Sequence, residues 1–286
     1  MTATVAAQEN AAAALPSRAR APHRRRRSTA LRWRRVLLGA AGIVGFLLLW
    51  EIASRTGLVN PQYLPPPTVV FGELFRQLTT ATFWTAVRQT MTSWAIGLAI
   101  VAVSGTVLGF LIGLSRFLKR FTASTIEFLR PIPSVALVPL AVLVFGIKPE
   151  SAILLIVYAG FWQMLIQVLY GVSDVDPVAE STARTYGLGR WARIRYVVWP
   201  SALPYIVTGL RLSATIALVL AITAELVIGV PGIGSQIVLA QNGARVPTVY
   251  ALALATGVLG LLVNFALRLV ETRLLSWHSS IRSEVV

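Results

Sequence analysis

Residues 86–114 read AVRQTMTSWAIGLAIVAVSGTVLGFLIGL, and Arg88 is the only charged side chain in the stretch. A helix needs about 20 consecutive apolar residues to cross the hydrocarbon core of a bilayer, so this run predicts a transmembrane helix. Gly105, Gly109 and Gly113 fall on one face of that helix, where another helix can approach closely. The spacing predicts a packing seam, within the chain or at a dimer interface. General enrichment of glycine in membrane helices is the alternative explanation.

The rest of the chain repeats this pattern. Five further apolar runs are candidate spans: 36–54, 122–146, 150–171, 203–229 and 249–275. Only 13% of the residues are charged and 56% are hydrophobic, whereas soluble domains carry about 25% charged residues. The sequence therefore predicts an all-α integral membrane protein with about six transmembrane helices and no second soluble domain.

The cationic residues predict how the chain is oriented. With the N-terminus in the cytoplasm, 19 of the 26 Lys and Arg residues fall on the inner side and five on the outer side, as the positive-inside rule requires. Both termini are then cytoplasmic. We expect a disordered Arg-rich tail over 1–35, a membrane domain over 36–275 that includes the inner loop 172–202, and a cytoplasmic tail over 276–286.

Composition excludes several classes of function. The chain has no cysteine and only two histidines, so thiolate catalysis and a metal or catalytic centre built on these residues are not expected. No Gly-Lys-Ser/Thr phosphate loop exists around its two lysines, Lys119 and Lys148. The Arg-rich tail directly precedes a predicted span, where anionic lipid and topology account for it, so no nucleic-acid partner is expected.

The inner loop 172–202 has the pattern of a folded element. Pro177 suits the start of a helix and Gly187 suits its end, with a positive φ at the glycine. A second short amphipathic helix is predicted from Trp191 to Val198. Two short helices that meet at a glycine turn form a rigid knuckle. An ordinary interfacial loop is the alternative.

This loop resembles the "EAA" loop in the permease subunits of bacterial ATP-binding-cassette importers. That pattern is Glu-Ala-Ala, three residues, Gly, nine residues, Ile, one residue, Leu-Pro, and its spacing is kept in full. The matching positions here are Ser181-Thr182-Ala183, Gly187, Val197 and Trp199-Pro200. Glu180 lies one place before the position of the pattern's glutamate.

Other segments look like the nitrate, sulfonate and taurine branch of these importers. They are Leu49-Trp50-Glu51, Leu64-Pro65-Pro66-Pro67, Arg130-Pro131-Ile132-Pro133 and Gly229-Val230-Pro231-Gly232-Ile233-Gly234. The resemblance covers about residues 46–275. It implies the type I importer permease fold, a place in the bacterial inner membrane, and a small anionic solute delivered by an extracytoplasmic substrate-binding protein.

The resemblance also implies how transport is driven. The short helix before Gly187 would sit in a groove of an ATPase subunit, whose closure tilts the spans. ATP and Mg would be bound by that partner, so this chain is expected to be no enzyme and to hold no cofactor. Two ATPase subunits need two knuckles, which implies a homodimer surrounded by membrane lipid. The residues implied in coupling are Glu180, Ser181, Thr182, Ala183, Arg184, Gly187 and Pro200.

Two charged residues in the fifth span are candidates for the translocation pathway. Arg211 and Glu225 lie about 21 Å apart along a helix and on nearly the same face. Arg211 would then offer a cation to an anionic substrate. The alternative is that both side chains reach towards opposite membrane surfaces. Beyond them, residues 231–242 predict an outer loop with a short helix.

A secondary transporter or channel is the competing class of function. It would favour acidic residues deep within several spans. Glu51, Glu127 and Glu225 all lie near the ends of predicted spans. The sequence therefore favours the importer subunit.

Overall fold

The computed structural model describes residues 27–275. The predictions for residues 1–26 and 276–286 fall outside the described residues. Helix α1 (Arg27–Arg55) begins nine residues before the predicted first span. The expectation of disorder is therefore wrong for residues 27–35, where arginine, a good helix former, continues the helix of the apolar run. The chain divides into two compact units, the second beginning at Ser54.

The second unit is built from helices. In order these are α2 (Pro67–Leu78), α3 (Ala81–Gly113), α4 (Arg116–Leu129), a 3-10 turn (Ser134–Leu137), α5 (Val138–Phe145), α6 (Pro149–Ser173), α7 (Pro177–Thr185), α8 (Arg190–Arg193), a π-helical turn (Ile194–Val198), α9 (Trp199–Ile228), α10 (Ile233–Asn242) and α11 (Val246–Leu274). Among the described residues, five helical stretches are long and apolar enough to cross a membrane, or six if the bent pair α4 and α5 counts as one. The prediction of about six spans is confirmed.

The third predicted span, 122–146, is wrong as a continuous helix. The chain bends by 83° between α4 and the helical segment that ends at Phe145. Pro131 and Pro133 cause the break, because proline lacks a backbone donor and disfavours helical geometry at the preceding residue. Tyr158 of α6 stabilises this corner, because its hydroxyl donates a hydrogen bond to the Leu129 carbonyl at 2.7 Å.

Helices α3 and α6 pack along the predicted glycine seam. Each seam glycine faces an α6 side chain, and a Cβ atom at any of the three would come within 2.9 Å of it. The pairs are Gly105 with Met164 (2.6 Å), Gly109 with Val168 (2.6 Å) and Gly113 with Val172 (2.9 Å). The seam is confirmed, and it lies inside the chain. Because the facing residues advance together, α3 and α6 run parallel.

Helix α9 completes the central bundle against both of these helices. The Ser213 hydroxyl donates to the Gly160 carbonyl of α6 at 2.9 Å. The Trp94 indole of α3 donates to the Ala214 carbonyl at 2.9 Å. Both bonds satisfy polar groups that lie between spanning helices. We call the end of this bundle near Gly113 the knuckle end, and the other the opposite end.

Helix α2 packs on the start of α11 at the opposite end. Glu73 accepts hydrogen bonds from Arg76 at 2.6 and 2.7 Å, from Gln77 at 2.8 Å and from Thr248 at 2.8 Å. These bonds, that from Arg76 above all, lower the pKa of Glu73 to about 2. The carboxylate therefore stays charged and ties α2 to α11.

Candidate functional site

The predicted knuckle, residues 177–200, has a helix with a defined start and end. Asp176 caps α7 by accepting from the Val178 amide at 2.8 Å, and Pro177 occupies the first turn. At the other end Gly187 adopts φ +75°. The Gly187 amide donates to the Arg184 carbonyl at 2.9 Å and the Leu188 amide to the Ala183 carbonyl at 3.0 Å. This pair of bonds is the Schellman arrangement of a helix end, and it confirms the predicted glycine turn.

The second helix of the knuckle is continuous with a span. Arg190–Arg193 leads through the π-helical turn Ile194–Val198 directly into α9. The predicted second helix therefore exists but is not a separate element. Pro200 lies in the first turn of α9, just after the widened turn, where its missing amide is tolerated. As a result, a movement of the knuckle acts directly on the end of a spanning helix.

Glu180 ties the two helices of the knuckle together. Its carboxylate lies 2.6 Å from Arg184 on the same helix and 3.4 Å from Arg193 on α8. The Arg193 side chain is mostly enclosed, at 24% exposed. Sequence reasoning missed Arg193. In the sequence Arg193 lies 13 residues after Glu180, a spacing that predicts no contact by itself. The two side chains meet because the glycine turn brings α8 back against α7.

One face of α7 is exposed and partly apolar. Val178 is 71% exposed and Tyr186 is 80% exposed. Together with polar neighbours they line a shallow surface depression of about 500 Å³: Pro177, Val178, Ser181, Thr182, Thr185 and Tyr186. On the other face, Ala183 is buried. A helix with a defined start and end thus presents two large apolar side chains to solvent at the knuckle end.

The base of the knuckle is anchored to the bundle. The Tyr205 hydroxyl of α9 donates to Asp174 at 2.6 Å, just before the knuckle begins. The Lys119 ammonium of α4 donates to the Ser173 hydroxyl at 2.9 Å. These bonds join the ends of α4, α6 and α9 at the knuckle end.

Arg211 has a partner that the sequence did not indicate. Its guanidinium lies 3.2 Å from the carboxylate of Glu271 on α11, and Asn264 accepts a hydrogen bond from it at 3.4 Å. The side chains of Arg211 and Glu271 are 40% and 20% exposed. The arginine is therefore neither a free cation nor a side chain that simply reaches the surface. Its charge is balanced by Glu271, which ties α9 to α11.

Glu225 is buried near the end of α9. It is 1% exposed. Its carboxylate accepts a hydrogen bond from the Gly234 amide at 2.8 Å. Arg211 and Glu225 both lie on α9, and each is bonded to a neighbouring element of the same chain. Separately, the described residues contain no group of three or more His, Cys, Asp or Glu side chains able to hold a metal.

This chain is similar to transport permeases over most of its length. The taurine transport system permease protein TauC of Escherichia coli K12 is 29% identical over 89% of this chain and 96% of its own. The bicarbonate transport system permease protein CmpB of Synechococcus elongatus is 32% identical over 82% of this chain and 88% of its own.

Solved structures share the fold. A bacterial transporter that imports the acidic polysaccharide alginate superposes with a TM-score of 0.61, at 17% identity, over 84% of this chain and 96% of that one. The inward-facing MetNI methionine transporter gives 0.59 at 18% identity, over 67% and 95%. The fold is that of the type I importer permeases. Residues 105–276 match the family model of the binding-protein-dependent transport system inner membrane component, and the chain belongs to that family.

Proposed function

We propose that this chain is the membrane subunit of an ATP-driven importer and that α7 docks into an ATPase subunit through its exposed face. The observation that carries the proposal is the construction of the knuckle. A helix capped at both ends presents Val178 and Tyr186 to solvent, and Glu180 ties it to the helix that continues into α9. A partner that grips this face can therefore pull on a spanning helix.

The energy source lies outside this chain in this proposal. The sequence has no phosphate loop, so ATP and Mg are bound by the ATPase subunits. A second copy of the chain supplies the second knuckle, and a substrate-binding protein delivers the solute from outside. The protein lies in the bacterial inner membrane with both termini in the cytoplasm, as the positive-inside bias favours.

The proposed solute is a small anion. The names of the relatives include taurine and bicarbonate, and aliphatic sulfonates for a Bacillus subtilis permease that is 30% identical. These solutes all carry an acidic group. Their common anionic group, rather than any one of them, is what we carry over to this chain.

We assign the pathway to the exposed stripe of α9. This helix belongs to the most enclosed of the spanning stretches, and its accessible side chains form a narrow strip. Thr208, Leu212, Thr215 and Val219 are exposed along it. The Thr208 and Thr215 hydroxyls donate to backbone carbonyls of their own helix, which leaves their oxygen lone pairs facing out. Arg211 lies at the edge of this stripe, with its charge already paired.

The test separates the docking face from general effects of losing an exposed tyrosine. Tyr186→Ala removes a side chain that is 80% exposed directly after α7, and Tyr63→Ala removes one that is 74% exposed at the opposite end. At equal membrane abundance, we expect Tyr186→Ala to lose co-purification of the ATPase subunit and ATP-driven uptake in vesicles. Tyr63→Ala should keep the ATPase bound.

Two results would overturn the proposal. One is retention of the ATPase by Tyr186→Ala at the level of the unsubstituted chain. The other is that no ATPase co-purifies with the unsubstituted chain. Native mass spectrometry of the purified complex tests the stoichiometry, for which we expect two copies of this chain with two ATPase subunits.

A further inference from the structure

The start of helix α10 is held by side chains from three elements. Its first amides have no partner within the helix, as at any helix N-terminus. The Gly232 amide bonds to the Ser235 hydroxyl at 3.1 Å within the same element. The Ile233 amide donates to Thr90 of α3 at 3.0 Å, and the Gly234 amide donates to Glu225 of α9 at 2.8 Å. Helix α10 is therefore bonded to two spanning helices at once.

The contact with Glu225 leaves no room for side chains at Gly232 and Gly234, at the start of α10. A Cβ atom at Gly232 would collide with the Glu225 carboxyl group. One at Gly234 would lie 2.7 Å from the Glu225 Cβ and 2.7 Å from the Ile222 carbonyl oxygen. The backbone at the start of α10 thus lies directly against α9.

The helix that carries Glu225 reaches the knuckle without a break. From Arg190 to Ile228 the chain is helical throughout, a length of about 58 Å at 1.5 Å per residue. Glu225 lies within the last turn of this helix and the knuckle forms its first turns. The group to which α10 is bonded and the knuckle are therefore parts of one continuous helical stretch.

We propose that Glu225 is a positioning residue that holds α10 on α9, so that α10 follows movements of the knuckle. We call its hydrogen bond with the Gly234 amide the lock. The lock is a property of this chain alone. The transmission of movement rests on the proposed function, in which an ATPase subunit moves the knuckle.

The lock is tested first, with the purified chain and a thiol probe. The chain has no cysteine, so an introduced one is the only thiol. Ala240 of α10 is 1% exposed and its neighbour Leu239 is 56% exposed. Ala240→Cys should react slowly with N-ethylmaleimide, and Leu239→Cys should react fast, each measured as a rate against total thiol after denaturation.

Changes at the lock should then expose the buried thiol. Adding Glu225→Ala to Ala240→Cys should raise the reaction rate about tenfold or more, because the Gly234 amide loses its acceptor and α10 opens more often. Glu225→Gln keeps an acceptor oxygen and should stay within about twofold of the starting rate. Protection unchanged in Glu225→Ala, or equal exposure in the Ala and Gln variants, would overturn the lock.

A second variant changes the α10 side of the contact between Glu225 and Gly234. Gly234→Ala leaves the carboxylate in place but forces the backbone away from α9, so it should also expose the thiol. Gly257→Ala is its matched control, because a Cβ atom there meets no atom within 4 Å. Equal protection in these two variants would also overturn the lock.

Transmission is tested in the assembled importer. At equal membrane abundance and equal ATPase co-purification, Glu225→Ala should lower uptake about tenfold or more while Glu225→Gln retains it, if the lock opens as the thiol rates predict. Normal uptake by Glu225→Ala with an exposed thiol would overturn the transmission and leave the lock. If no ATPase binds the unsubstituted chain, the proposed function fails, and the thiol rates still decide the lock.

Discussion

The glycine turn of the knuckle allows a sharp test, because its requirement is conformational and not spatial. Gly187 has φ +75°, and a Cβ atom added there would meet no atom within 4 Å. A substitution therefore causes no clash and costs only the free energy of holding an L-residue in the left-handed region. That cost is about 1–2 kcal/mol for an ordinary residue, higher for a β-branched one and lower for asparagine.

The size of this cost predicts an order of variants. Gly187→Asn should behave nearly as the unsubstituted chain, Gly187→Ala should be impaired and Gly187→Val impaired most. A cost of about 1.4 kcal/mol shifts the turn about tenfold towards other conformations. In those conformations the bonds from the Gly187 and Leu188 amides to the Arg184 and Ala183 carbonyls are lost, and α8 no longer lies against α7.

The assay pairs ATPase co-purification with ATP-driven uptake in vesicles, compared at equal membrane abundance. We expect both to fall in the order Asn, Ala, Val. Asparagine and valine have similar volumes, so equal damage by both would show that open space at Gly187, and not its φ, is what the partner needs. Normal activity of Gly187→Val would refute the coupling role of the turn altogether.

Three further predictions concern the bundle and the tail. Gly109→Ala should lower the free energy of unfolding of the purified protein by about 1–3 kcal/mol, since its Cβ atom would lie 2.6 Å from Val168. Gly257→Ala is the control and should have little effect. Equal melting temperatures for the two variants would contradict the seam. For Arg211→Gln and Glu271→Gln, a double-mutant cycle of the free energy of unfolding should give a coupling of about 0.2–1 kcal/mol, because the pair is partly exposed, and a coupling of several kcal/mol would contradict this reasoning. Deleting residues 2–26, which leaves α1 intact, should keep uptake near normal at equal membrane abundance; lost uptake would assign the tail a specific role.

Local features of the chain were predicted well. The spans follow from the lengths of apolar runs, and the seam follows from glycines four residues apart, because helical geometry fixes which residues share a face. The turn at Gly187 follows from the identity of one residue, since glycine is the residue that adopts positive φ at little cost. Such features depend on a few neighbouring residues.

The bend in the third span was within reach of the sequence but was not predicted. Residues 122–146 are apolar enough for one span, and that pattern outweighed the two prolines at 131 and 133. The prolines explain why the helix breaks. The packing of Tyr158 against the Leu129 carbonyl stabilises the corner, and this contact joins residues 29 positions apart.

By itself the sequence determined the number of membrane-spanning segments, the glycine seam and the glycine turn of the knuckle. Only the tertiary structure decided what the charged groups do: Arg211 is paired with Glu271 at 3.2 Å, and Glu225 holds a backbone amide at 2.8 Å. The physical reason is that a charge in an apolar protein takes whatever partner the packing of helices brings near it. Glu271 is 60 residues from Arg211 in the chain, and the Gly234 amide has no side chain to mark it, so neither partner is visible in the local pattern.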